Sequence, residues 1–394
     1  MGAREALAAR RKAVGLTQES LAEALRVERS TVARWEQGTA SPRPWYRRKL
    51  ADALDVTPDE LTRLLEPAST TSATPEQTEY WHGDVGDSHR PTSVASASYV
   101  ESVRANARRL IELDTSYGGD DLARLAARAF RSAYERLASG LYVPGVERDL
   151  QAAIGELGQV AAWIAYDSDK QQLSRQLTNE ALLHSRMAGD RRMELCELGQ
   201  LAMQAVHLGR PAEALRIADE VIDSDPPSPR IDAVFRIRRA RALAQMGDRS
   251  RSLREHDRAA AILGAGVTAA DPDWTWWVDD AELAWHRAMS LASLDGWSAA
   301  VDLFQTAHDL RSPAAQRARY NDRAHLLEAQ LAVGAWHDAE ASLADILAST
   351  GDVRSSRTTA LLRRIGRQLA RADSAPSTVA DSVHELLLTL DAPA

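Results

Sequence analysis

The stretch LTQESLAEALRVERSTVARWEQGTASPRP, residues 16–44, decides the reading of this chain. Apolar residues recur three and four apart on both sides of the short break RVE, and the spacing predicts two amphipathic helices, 17–25 and 30–37, joined by a tight turn. The same pattern continues outward and predicts helices at 4–14, 45–54 and 58–65, five in all. Leu7, Leu16, Leu21, Leu25, Val32, Trp35, Leu50, Leu54 and Leu61 are the apolar set that can close a small core, which places an all-helical domain at 1–66.

Beyond it, residues 67–93 (PASTTSATPEQTEYWHGDVGDSHRPTS) are rich in Pro, Ser, Thr and Gly without a period and read as a linker. From 94 to 394 the sequence is helix upon helix, with no stretch patterned as a strand. Four helix–turn–helix joints align, at HLGRPAEAL (207–215), QMGDRSRSL (245–253), LDGWSAAVDLF (294–304) and AVGAWHDAEASL (332–343). Their glycines, 209, 247, 296 and 334, lie 38, 49 and 38 residues apart. A period of this size resembles tetratricopeptide (TPR) repeats, in which each helix pair must stack on the next to bury its apolar face. The third unit is the clearest, with Ala288, Leu291, Ala300, Phe304 and Ala307 at its nesting positions. The second is degenerate, with Arg239 and Ser252 where Leu and Ala are usual, and the helices of 94–189 do not align.

The 16–44 stretch resembles the helix-turn-helix of the Cro and phage-repressor (Xre) family. Gln18 opens the first motif helix, Ala22 allows a close helix crossing, Val27 plugs the turn, and Val32 and Trp35 face the core; the trailing WEQG and Pro-containing loop complete the likeness. One departure is Arg26, at the turn position usually held by glycine. The resemblance implies a five-helix lambda-repressor-like domain followed by a TPR-like α-solenoid, as in actinobacterial regulators. It implies a double-stranded DNA operator as partner, with the second motif helix in the major groove and Arg29, Ser30, Thr31 and Arg34 against base edges. It also implies that Thr17, Gln18 and Arg43 hold phosphate, and that Arg11 and Glu36 pair as a brace behind the reading helix. For the body, the concave positions implied by the TPR likeness include Cys196, Met203, Glu282, Trp285 and Met289.

The segment DPDWTWWVDDAELAW, 271–285, holds four of the ten tryptophans. Trp274, Trp276 and Trp277 are expected to cap the neighbouring solenoid turn; the alternative is a signal pocket that includes Trp277. A signalling peptide or small molecule would bind on this concave surface.

Charge fits that division. Residues 1–66 carry twelve Arg/Lys against ten Asp/Glu, +2, while the remainder carries −10 of the net −8. A small basic reader on an acidic body suits a regulator better than a nucleic-acid packager. Only three lysines occur among the 48 basic residues, which looks like the coding bias of a GC-rich bacterium. The single cysteine, Cys196, forms no internal disulfide, and no leader or membrane span is patterned, so a cytoplasmic protein is expected. His82 and His89, with Asp84 and Asp87, match no zinc spacing, and no metal or cofactor is expected. No CxxC, HExxH, GxSxG or P-loop occurs, so no enzyme is expected. The leading expectation is a dimeric DNA-binding transcriptional regulator whose body mediates dimerisation and senses a signal. The alternative is a DNA-localised scaffold that captures a protein partner.

Overall fold

The computed structural model describes residues 5–25, 27, 29–37, scattered positions between 42 and 65, 94–224, 228–369 and 375–391. The linker expected at 67–93, with His82 and His89, lies outside the described residues, as do Arg26 and Arg43. The chain divides into two units, Met1–Asp87 and Ser88–Ala394. Among the described residues every regular element is helical, and the only β-type pairings are isolated bridges such as Ala95 with Tyr142. No described helix is long and apolar enough to cross a membrane.

In the first unit α1 (Glu5–Ala13), α2 (Gln18–Leu25) and α3 (Arg29–Glu36) enclose a core of Leu7, Leu21, Ala22, Leu25, Val32 and Trp35, joined by Leu50, Leu54 and Leu61 from the following segment. Leu16 and Val27 only partly bury against it. The start of α2 is fixed by a reciprocal cap: the Ser20 N–H donates to Thr17 Oγ1 (3.0 Å) and the Thr17 N–H to Ser20 Oγ (2.8 Å). Thr57 and Glu60 repeat the device, with the Thr57 N–H donating to Glu60 Oε2 at 2.8 Å, at the entry to the expected fifth helix.

The body is a run of antiparallel helices: α4 (Ala97–Tyr117), α5 (Ala123–Ala138), α6 (Glu147–Asp167), α7 (Gln171–Ala188), α8 (Arg191–His207), α9 (Pro211–Asp223), α10 (Pro229–Gln245) and α11 (Arg249–Gly264). A 3-10 turn, Asp273–Trp277, leads into α12 (Asp280–Ala292), α13 (Trp297–Leu310), α14 (Gln316–Val333), α15 (Trp336–Ser349), α16 (Ser356–Leu369) and α17 (Ser377–Asp391). The nesting residues of the third unit, from Ala288 to Ala307, are all buried. In the degenerate unit Ser252 is fully buried and its hydroxyl donates to the Ala240 carbonyl (2.8 Å), while Arg239 pairs with Asp219 at 2.9 Å. Both departures from the apolar pattern thus find polar partners.

The joints correct the sequence alignment at one place. Gly209, Gly247 and Gly334 adopt positive φ, but at the third joint the left-handed residue is Asp295 (φ 57°) and Gly296 is ordinary. Asp169 (φ 55°) does the same between α6 and α7. Aspartate tolerates this conformation through local side-chain hydrogen bonding, so a joint without glycine went unaligned. The solenoid therefore starts earlier than the glycine count indicates.

The body also closes on itself. The Arg354 N–H donates to the Tyr117 carbonyl (2.8 Å) and the Asp120 N–H to the Arg354 carbonyl (3.2 Å). The Ser356 N–H and hydroxyl both donate to the Asp120 carboxylate at 2.9 Å, Arg357 pairs with Asp167 at 3.0 Å, and Arg317 pairs with Asp114 at 3.0 Å. Helices from the start of the body thereby meet helices from its end. Gly118 (φ 82°) sits in this seam, and a Cβ there would lie 2.3 Å from the Arg354 carbonyl oxygen.

One buried acid predicts a pH response. Glu197 is fully buried on α8, accepts a 2.7 Å bond from the Ser185 hydroxyl, and burial pushes its carboxyl up to about 9. The folded state then holds a proton that the unfolded chain releases above its ordinary value of 4.5. Stability should fall as pH rises between about 4.5 and 9, at up to about 1.4 kcal/mol per pH unit. Glu197→Gln keeps the shape without the charge, so it should raise the melting temperature at pH 8 and leave it nearly unchanged at pH 5. A gain of equal size at both pH values would exclude the ionisation as its cause.

Candidate nucleic-acid interface and body cavity

Helix α3 divides cleanly by burial. Val32, Trp35 and Glu36 face inward, whereas Arg29, Ser30 and Arg34 are exposed and Thr31 is half-buried. Arg34 folds back on its own helix, Nε donating to the Ser30 carbonyl and Nη2 to Thr31 Oγ1, each at 3.3 Å. Arg29 meets Glu19 of α2 at 2.8 Å, with both side chains about two-thirds exposed. Such a surface pair contributes at most about 1 kcal/mol, little hindrance to re-pairing with another anion.

Behind this face Arg11 Nε donates to Glu36 Oε1 (2.6 Å), Nη2 to Oε2 (3.3 Å) and Nη1 to the Leu16 carbonyl (2.6 Å). Arg11 is 6% exposed and Glu36 8%. Gln18, expected to hold phosphate, donates its amide to Glu36 Oε2 at 2.7 Å and so joins the brace. Thr17 is exposed, its hydroxyl engaged in the cap of α2.

In the body, a cavity of about 840 Å³ lies inside the closed run of helices. The five residues expected to meet a ligand, Met203, Trp277, Glu282, Trp285 and Met289, all line it, as does Cys196. Burial raises the Cys196 thiol far above its ordinary value, which leaves it inert. Trp274 and Trp277 pack on the core beneath the cavity, their rings stacked 6.4 Å apart, and they also line it. Trp276 lines the cavity and is 62% exposed. The capping and pocket readings of these tryptophans thus describe the same residues.

The lining carries seven arginines against five carboxylates. Four guanidinium groups lie over aromatic rings: Arg317 over Trp163 at 4.9 Å, Arg357 over Tyr166 at 5.1 Å, Arg238 over Trp277 and Arg241 over Trp285, both at 5.8 Å. Glu282 is committed to Arg311 (2.7 Å), which also holds Asp322 at 3.1 Å. Burial pushes His207 and His286 down to about 4, leaving both imidazoles neutral at neutral pH.

Residues 7–61 match the family model for Helix-turn-helix. The N-terminal unit is a helix-turn-helix domain. No curated protein matches the chain. Among solved structures the chain is similar to PlcR of Bacillus thuringiensis, in a crystal structure with the peptide PapR7 and DNA. Identity is 15%, coverage 78% of this chain and 96% of that one, and the TM-score 0.31, too distant a likeness to transfer a ligand.

Sequence reasoning placed the exposed face of the helix-turn-helix domain but missed Arg238 and Arg241 in the body. The available signal was FRIRRARAL, 235–243, where four arginines interrupt an otherwise apolar helix. Two of them, Arg238 and Arg241, are buried on the cavity side. Among the described residues no group of three or more His, Cys, Asp or Glu could hold a metal ion.

Proposed function

We propose that the chain is a cytoplasmic, sequence-specific DNA-binding transcriptional regulator. The helix-turn-helix domain reads an operator in double-stranded DNA through Arg29, Ser30, Thr31 and Arg34, with Thr17 and Arg43 on phosphate. The chain acts as a homodimer, since two readers on half-sites a helical turn apart multiply avidity. The body receives a small-molecule or peptide signal in its cavity and shifts the population of DNA-competent states. The observation that carries the DNA reading is the buried brace: Arg11, Gln18 and Glu36 hold α3 rigidly from behind, leaving its polar first turns exposed. A concave cavity of about 840 Å³, the size of a small-molecule site, favours a ligand over capture of a whole protein partner.

Arg34→Ala tests the base-reading role. An arginine fork on guanine contributes about 1 to 3 kcal/mol of discrimination, so the variant should lose that much operator affinity and relax the preference at one position. Thr17→Ala should weaken all sequences nearly equally. In-vitro selection of bound DNA with the full chain separates the two, and an unchanged motif for Arg34→Ala would remove Arg34 from the base readers.

A further inference from the structure

The two arginines of α10 that line the cavity are not paired directly with any carboxylate among the described residues; Glu282, which favours the charge of Arg238 from further away, is itself held by Arg311. Among the described residues neither Arg238 nor Arg241 has a carboxylate within 4 Å, although they are only 4% and 7% exposed. Arg238 donates to the Gly199 carbonyl (3.2 Å) and faces His286 Nε2 at 2.9 Å, while Nη1 of Arg241 is buried with no hydrogen-bond partner. The nearby acids are occupied by other arginines: Glu282 and Asp322 by Arg311, Asp114 by Arg317 and Asp167 by Arg357. Burial without a partner pushes Arg241 down to about 10, so it remains a cation at neutral pH. An unpaired buried charge is a standing cost that a bound anion would relieve.

The other lining residues point the same way. Gln200 Nε2 and Trp285 Nε1 are also buried donors without acceptors. Trp277 and Trp285 supply flat apolar walls beside the two guanidinium groups. A volume of about 840 Å³ lies within the range of small-molecule sites, about 300–1,000 Å³. The body is acidic overall and its cavity has the volume of a small-molecule site, so the occupant is small. Aromatic walls disfavour a strongly hydrated phosphate and favour an anion on an apolar carrier.

We infer that the Arg238–Arg241 face of α10 is the receptor for a carboxylate carried on an aromatic or aliphatic body, its oxygens on Arg241 and Arg238 and its carrier between Trp277 and Trp285. This rests on the ligand-sensing reading of the body and names the chemistry of the signal. A small organic acid and the C-terminus of a short peptide share that chemistry.

The test titrates the full chain with 1-naphthoate and with 1-naphthamide, which differ in charge and little in shape. A charge-assisted hydrogen bond in a buried site contributes about 1.5–3 kcal/mol, so the acid should bind at least about tenfold tighter than the amide by calorimetry. Arg241→Met should bring the two within about twofold of each other and raise the melting temperature of the ligand-free chain, because the unpaired charge is gone. Arg241→Lys, which keeps the charge and loses the fork, should retain a reduced preference for the acid. N-acetyl-Phe-Leu as free acid and as C-terminal amide asks whether a peptide is the carrier: tighter binding than naphthoate supports that source, and weaker binding supports a small acid. Equal binding of naphthoate and naphthamide, no binding of either, or an Arg241→Met chain that melts earlier and still prefers the acid would each overturn the inference. Stabilisation reproduced by inorganic phosphate alone would overturn it too. DNA selection run in parallel judges the regulator reading independently, since failure to enrich any sequence sinks that reading and leaves the carboxylate result intact.

Discussion

Glu36→Ala should unfold the helix-turn-helix domain or bring it close to unfolding. The substitution strands Arg11, which is buried and among the described residues keeps only the Leu16 carbonyl, and it removes the acceptor of Gln18. Breaking a buried pair by deleting one partner costs about 3–5 kcal/mol, a large share of what a small domain has. Arg11→Ala leaves a buried carboxylate that, among the described residues, keeps only the Gln18 amide, and should cost a similar amount. The double variant removes both charges, so its loss should be less than the sum of the singles. Amide hydrogen exchange across α1 to α3 in the full chain reads this without interference from the body. Additive losses would show that the two residues do not couple. An altered DNA motif for a folded Glu36 variant would place that residue on the reading face.

Gly118→Ala should open the seam of the body. The backbone at this position (φ 82°, ψ 174°) belongs to a region open essentially to glycine, which costs other residues about 1–3 kcal/mol. The added methyl also meets a backbone oxygen at 2.3 Å, so no rotamer change relieves it. The segments must part, and the two backbone bonds between Tyr117, Asp120 and Arg354 go with them, at about 1 kcal/mol each. Together these amount to about 3–5 kcal/mol. Gly209→Ala is the control: its φ is also positive (67°) but its Cβ meets nothing, so it should cost only about 1 kcal/mol. Solution scattering should report a larger radius of gyration for Gly118→Ala and no change for Gly209→Ala. Equal behaviour of the two would mean the seam does not hold the body closed.

What the sequence reveals here is local. The helix-turn-helix was legible because its turn, caps and core residues fall within a few dozen consecutive positions. The Arg11 and Glu36 pair is implied by resemblance, whereas the bond from the Gln18 amide to Glu36 was not legible, because side-chain direction at a helix start is not written in spacing. In the body, the glycine-marked joints were visible, but Asp169 and Asp295 took the same backbone conformation without the glycine signal. The seam joins residues such as Asp120 and Ser356, 236 positions apart, and no periodicity connects them. The arginines of α10 stand out in the sequence, but their lack of a paired carboxylate was invisible for a related reason. Whether a charge is compensated depends on every helix around it.

Closure has an evolutionary corollary. An open solenoid gains or loses a repeat at little cost, because each unit contacts only its neighbours and the ends are free. In this body the first helices bond to the last through Tyr117, Asp120, Asp167, Arg354 and Arg357, so the number of units is a fixed quantity. Duplicating one helix pair would carry the carboxylates of Asp120 and Asp167 out of reach of their partners and leave Arg357 a buried cation. Relatives that share this seam are therefore expected to vary in loop length, as between α11 and α12, and to hold their helix count constant.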